Sequence, residues 1–119
     1  MINKKKIAIF SCARTNSERC SKKMIKSFND TSLTDIMMKK LSFLDYDVYF
    51  AGYEKIFKSK SDKYRVNFIK RSKSSSLSEG PNSKIHEYLK NLNYEYFFLI
   101  NACLPFLRVS SINNFINFC

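Results

Sequence analysis

Ile7-Ala8-Ile9-Phe10-Ser11-Cys12-Ala13-Arg14-Thr15-Asn16-Ser17-Glu18-Arg19-Cys20-Ser21-Lys22-Lys23 opens on an apolar, β-branched run and breaks into a small, polar stretch studded with spaced cations. An apolar run without alternation is the pattern of a strand covered on both faces. Such a strand delivers Arg14, Arg19 and Lys23 to one edge of a sheet, where two forked guanidiniums and a compact ammonium can surround a polyphosphate. Thr15, Asn16 and Ser17 add small side chains and backbone amides able to close around an anion.

Outward from this stretch, strand-like and helix-like segments alternate. Leu33, Ile36, Met37, Leu41 and Leu44 recur at helical spacing, and Ser32 followed three positions later by Asp35 resembles a capping box. Val48 to Gly52 reads as a second strand, Tyr53 to about Ser61 as a short polar helix carrying Ile56 and Phe57 inward, and Val66 to Lys70 as a third strand. Ser72 to Ser83 is a Ser-rich loop, longer than a connector needs to be. Ile85, Leu89 and Leu92 then fall on one helical stripe, and Tyr96 to Ile100 reads as the best-buried strand of all. A last helix is expected from Ser110 or Ser111, with Ile112, Phe115 and Ile116 as its apolar face.

This order predicts an α/β fold: a parallel sheet with helices on both faces, joined by right-handed crossovers. Ligands in such sheets sit beyond the carboxyl ends of the strands. That rule gathers Arg14 to Lys23 after strand one, Arg71 and the Ser-rich loop after strand three, and Asn101 after strand four.

Composition bounds the class. With 119 residues, 45% of them hydrophobic, and only 2 Gly and 2 Pro, the chain is neither disordered nor fibrous. One domain is expected, burying about 65% of the surface of the unfolded chain. The 21 basic and 10 acidic residues give a formal charge of +11, which attracts polyanions but says nothing of fold. The 4 Cys are scattered and His86 is the only histidine, so a zinc site is not expected, and Cys12 and Cys103 read as core thiols. No stretch nears the ~20 apolar residues of a membrane span, and no leader pattern opens the chain. A reduced, cytoplasmic protein is expected.

Ala13-Arg14-x-x-Ser17-x-Arg19-x-x-x-Lys23 after an Ile-Ala-Ile strand resembles the signature of the sugar-acid cytidylyltransferases, above all the acylneuraminate (CMP-sialic acid) type, whose pattern runs Ala-Arg-x-Gly-Ser-x-Arg-x-x-x-Lys-Asn. Ile69-Lys70-Arg71 is similar to that family's arginine before a flexible loop. Leu99-Ile100-Asn101-Ala102-Cys103-Leu104-Pro105-Phe106-Leu107-Arg108 resembles its Leu-Leu-Gln-Pro-Thr-Ser-Pro-Leu-Arg segment. Two positions depart from the pattern: Asn16 stands for its Gly, and Met24 for its Asn.

The resemblance implies a Rossmann-like sheet of the nucleotide-diphospho-sugar transferase (GT-A-like) type that transfers CMP from CTP to a keto-sugar acid and releases pyrophosphate with magnesium. By the same resemblance, Arg14 and Lys23 grip the CTP phosphates, Ala13, Asn16, Ser17 and Arg19 shape that loop, Arg71 borders the nucleotide pocket and Asn101 lies near the cytosine. Residues 1–119 are then the N-terminal, nucleotide-binding part. The metal-binding aspartates, the sugar pocket and much of a homodimer interface are expected in a C-terminal half beyond Cys119, so nucleotide binding without efficient turnover is expected. Asp30, Asp35, Asp45, Asp47 and Asp62 read as solvated or capping residues. A different class also fits the composition: a small basic module that binds nucleic acid through Lys and Arg on phosphates and through some of its 7 Tyr and 11 Phe.

Overall fold

The computed structural model describes residues 3–13, 24–27, 29–77, 83, 86–102 and 104–119. Its centre is β1 (Ile7–Cys12), of which all but the last residue are buried. Around it stand α1 (Leu33–Ser42), β2 (Asp47–Gly52), α2 (Lys55–Tyr64), β3 (Asn67–Lys70), a short α3 (Lys73–Leu77), a 3-10 helix (Glu87–Asn91), β4 (Tyr96–Leu99) and α4 (Val109–Phe118). The four strands form one sheet in the order β3-β2-β1-β4, and all three pairings are parallel.

Alternation along the strands builds two layers. Ile7 and Ile9 of β1, with Val48 and Phe50 of β2, join Met37, Met38 and Leu41 of α1, Phe57 of α2, and Ile112 and Ile116 of α4 in the larger core. Phe10 and Ala51 point the other way and meet Tyr88 of the 3-10 helix, with Cys12, Tyr49, Ile69, Leu89 and Phe97 around them. The handedness of parallel connections accounts for this division. The chain steps in one direction from β1 to β3 with its helices on the first face. It must then step back past β1 to reach β4, and a connection of the same hand moving the opposite way crosses the second face, where the 3-10 helix lies.

Local chemistry sets the helix ends. Ser32 Oγ accepts from the Asp35 amide at 3.1 Å, the expected cap, and donates to Asp35 Oδ2 at 2.6 Å. The same carboxylate receives Lys60 Nζ at 2.8 Å and Tyr64 Oη at 3.1 Å. A buried acid at the start of α1 thus ties α1 to α2, and Asp35 is a structural tether rather than a solvated residue. The helix expected from Tyr53 begins instead at Lys55, because Glu54 is the extended N-cap, and it ends where Arg65 turns left-handed at φ 58°.

Two expectations about burial fail. The strand at 96–100, expected to be the best buried, is an edge strand that leaves Tyr96 46% and Leu99 53% exposed. The helical stripe of Leu89 and Leu92 is realised as a 3-10 helix from Glu87, and Ile85 lies outside the described residues. In α4, Ile112 and Ile116 are buried as expected, but Phe115 is largely exposed.

Burial alone pushes the Asp35 carboxyl up, but hydrogen bonds from Lys60 and Ser32, the Lys60 charge and the Tyr64 hydroxyl outweigh it and hold the group below the usual carboxylate value. A carboxyl with a depressed folded pKa contributes stability that is present above its unfolded value of about 3.9 and is lost as pH falls through the folded value. Urea denaturation across pH 2 to 6 is expected to show this acid limb flattened in Asp35→Asn. Gly52, which ends β2, makes a second prediction. A Cβ there would stand 2.8 Å from Phe57 Cδ2 and 2.9 Å from Phe57 Cβ, and a Cβ anchored to helix backbone cannot swing aside. Gly52→Ala is therefore expected to lower stability by about 1–3 kcal/mol in the same assay.

Candidate functional site at the carboxyl edge of the sheet

Strand order reverses between β1 and β4, and a parallel sheet opens a crevice beyond the carboxyl ends of its strands at such a reversal. The backbone is stitched tightly there. The Ile100 amide donates to Phe10 O at 2.9 Å, and the buried Ser11 hydroxyl donates to Ile100 O at 2.8 Å. The Ala13 amide donates to Ala51 O at 3.2 Å, and the Arg71 amide to Gly52 O at 2.9 Å. All four strands therefore end at a common rim.

Arg71 leaves β3 at this rim and turns its side chain inward. Taken alone after a strand, it would be expected as a surface charge, yet it is only 4% exposed. Its Nε donates to Ser75 Oγ at 3.3 Å, Nη2 to Ser75 O at 2.8 Å and Nη1 to Ala13 O at 3.5 Å. The guanidinium also stands over the Tyr88 ring, 5.7 Å from its centroid, within reach of a cation–π attraction. Arg71 and Ala13, two of the sequence-predicted residues, are thus brought together.

Tyr88 is itself held. Its hydroxyl lies 2.9 Å from His86 Nδ1, and both rings meet Phe10 edge to face at 6.2 and 5.7 Å. Burial pushes the Tyr88 hydroxyl far up, helped by the nearby Cys12 thiol, so it stays protonated. Burial lowers His86, with a further contribution from the Arg71 charge.

The described residues on either side of positions 14–23, Ala13 and Met24, are both held by hydrogen bonds. Ala13 is fixed at one end through its amide and carbonyl. At the other, the Met24 carbonyl accepts from the Thr34 amide at 3.1 Å and from the Thr34 hydroxyl, while its side chain is buried in the core. A polar side chain at position 24 would have to enter that core, which explains the Met in place of the resembled family's Asn.

Arg14, Asn16, Ser17, Arg19 and Lys23 lie outside the described residues. Asn101 is exposed at the end of β4 and borders an apolar groove of about 370 Å³ between that strand and α4. Cys103 lies outside the described residues, and Cys12 is half-buried. His86 and Tyr88 are not marked as site residues by any local pattern, because they meet Phe10 and Arg71 only once the strands are side by side, and Ser75 stands out only once the Arg71 side chain turns inward. Among the described residues no three of His, Cys, Asp and Glu gather as a metal-binding group. No described helix is long and apolar enough to cross a membrane.

Solved structures share this fold. CMP:2-keto-3-deoxy-manno-octonic acid synthetase, in complex with CTP, superposes with a TM-score of 0.77 at 12% identity, over 94% of this chain and 46% of that one. A cytidylyltransferase from Leptospira borgpetersenii gives 0.76 at 18% identity, over 96% and 48%. The 4-diphosphocytidyl-2C-methyl-D-erythritol synthase of Anaerococcus prevotii gives 0.68 at 16%, over 93% and 49%. The fold is nucleotidyltransferase-like. This chain spans about half the length of those solved chains. No protein-family model matches the sequence, and no curated protein does.

Within this fold, His86 supplies a pH test. Its folded pKa lies below the ordinary value of about 6.5, so the unfolded chain binds more protons there and stability rises with pH through that window. Stability should be fully present above about pH 6.5 and fall as the solution is acidified below it. Denaturant melts between pH 5 and 8 are expected to show this slope reduced in His86→Gln.

Proposed function

We propose that residues 1–119 are the N-terminal, nucleotide-binding part of a CTP-dependent nucleotidyltransferase that activates a keto-sugar acid of the sialic-acid type. The observation that carries this reading is the Ala13 to Lys23 spacing, placed after the central strand where the strand order reverses. The fold shared with cytidylyltransferases, one of them bound to CTP, supports it.

In this reading Arg14 and Lys23 hold the CTP phosphates, and charge-assisted hydrogen bonds from Arg14 neutralise the oxygens on which charge grows. Asn16, Ser17 and Arg19 shape the loop around them. Asn16 replaces a glycine, and Asn is the side chain that best tolerates a left-handed backbone. Asn101 offers an amide to the cytosine, and Arg71 and Ala13 form the floor. The reaction is a displacement at phosphorus: an anomeric hydroxyl of the sugar acid forms a bond to the α-phosphorus and loses its proton, and the bond to the β-phosphate oxygen breaks to release pyrophosphate. Magnesium, when bound, neutralises phosphate charge. Its ligands, the sugar pocket and a dimer contact belong, in this reading, to sequence beyond Cys119.

Thermal shift with nucleotides tests the proposal. CTP at a hundredfold excess over its dissociation constant should add about 2.7 kcal/mol of stability, and ATP should add far less. Arg14→Ala should abolish the CTP effect. A chain that ignores CTP but binds single-stranded oligonucleotides with steep salt dependence would instead be a nucleic-acid module.

A further inference from the structure

We infer that Arg71 is a positioning residue that clamps the departure point of the basic stretch to α3, rather than a ligand of the nucleotide; this rests on the function proposed above. The geometry carries it. A guanidinium is planar and offers five N–H donors in a fixed fork. Three of its nitrogens are directed at protein acceptors: Nε and Nη2 at the two oxygens of Ser75, and Nη1 at Ala13 O. Its flat face lies over Tyr88, and Tyr88 is braced by His86 and Phe10. At 4% exposure the group is enclosed by its partners.

What the clamp joins matters. Ala13 is the last described residue before the cations, and its carbonyl orients the peptide that leads into Arg14. Ser75 lies in the serine-rich segment, whose start is fixed in turn by Ser72: Ser72 Oγ accepts from the Ser75 amide at 3.0 Å and donates to Glu87. One side chain just beyond β3 therefore reaches past β2 and ties the residue after β1 to the serine-rich helix. An ammonium cannot reproduce this. Lys has a point charge and no planar fork, so it cannot satisfy Ser75 and Ala13 together while stacking on an aromatic ring.

The test is Arg71→Lys in the whole chain, read by amide hydrogen exchange without nucleotide and by CTP affinity. Loss of the fork is expected to speed exchange at Ala13, Ser75 and Ser76 by about tenfold, while α1 amides such as Leu41 stay unchanged. CTP affinity should fall by about tenfold, with the retained charge giving no rescue. Unchanged exchange at Ala13 together with weakened CTP binding would make Arg71 a direct ligand and overturn the clamp. Equal acceleration at Ala13 and Leu41 would overturn it too, as a merely global loss of stability. If wild-type chain ignores CTP, the proposed function fails, while the exchange measurement still decides the clamp. Should Arg71→Lys not fold, Ser75→Ala removes one acceptor, and faster exchange at Ala13 is expected; no change there would refute the clamp.

Discussion

A strand that is hydrogen-bonded on both edges and covered on both faces can meet solvent only at its ends, and β1 is in that position. Ile7 to Ser11 are buried, β2 pairs with one edge and β4 with the other. The chain that follows β1 therefore departs at Ala13, on the same rim as the ends of β3 and β4.

Against that constraint the formal charge of +11 is a poor guide to function. Most of the described lysines lie on exposed surface, where ion pairs such as Lys4 with Asp45 and Lys58 with Asp62 contribute little. Among the described residues, cations that tie the interior together include Lys60, paired with buried Asp35, Lys40, bonded to the Leu104 and Pro105 carbonyls, and Arg71, enclosed beside Ala13. A buried charge is tolerated only when its donors are matched to acceptors, and Arg71 meets that condition with a carbonyl from each of two segments. Its enclosure couples the rim of β1 to the serine-rich helix.

Much of the architecture was legible in the residues. The unbroken Ile7–Cys12 run marked the covered strand, and Ser32 with Asp35 marked the start of α1, because both signals are local. The apolar run at 96–100 was misleading. Periodicity reports hydrophobicity but not which strands become neighbours, and only the return of the chain past β1 made β4 an edge. Arg71 was illegible for a related reason: Ser75 is only 4 positions away, but Ala13 and Tyr88 are 58 and 17 positions away in sequence and meet it only through the fold. Met24, which departs from the resembled motif, is explained by burial in the core, a role that its place in the motif concealed.

The fold is shared with solved cytidylyltransferase chains, and the function proposed above puts the nucleotide's phosphates beside the Ala13 to Lys23 motif. The most direct measurement of that placement is photo-crosslinking with CTP carrying an azidoanilide on its γ-phosphate, followed by peptide mapping. Attachment is expected within residues 13–24 and should be suppressed by unlabelled CTP. Attachment at the lysines of residues 4–6 or of α2, at the opposite end or on the helical face, would contradict a phosphate site at the end of β1.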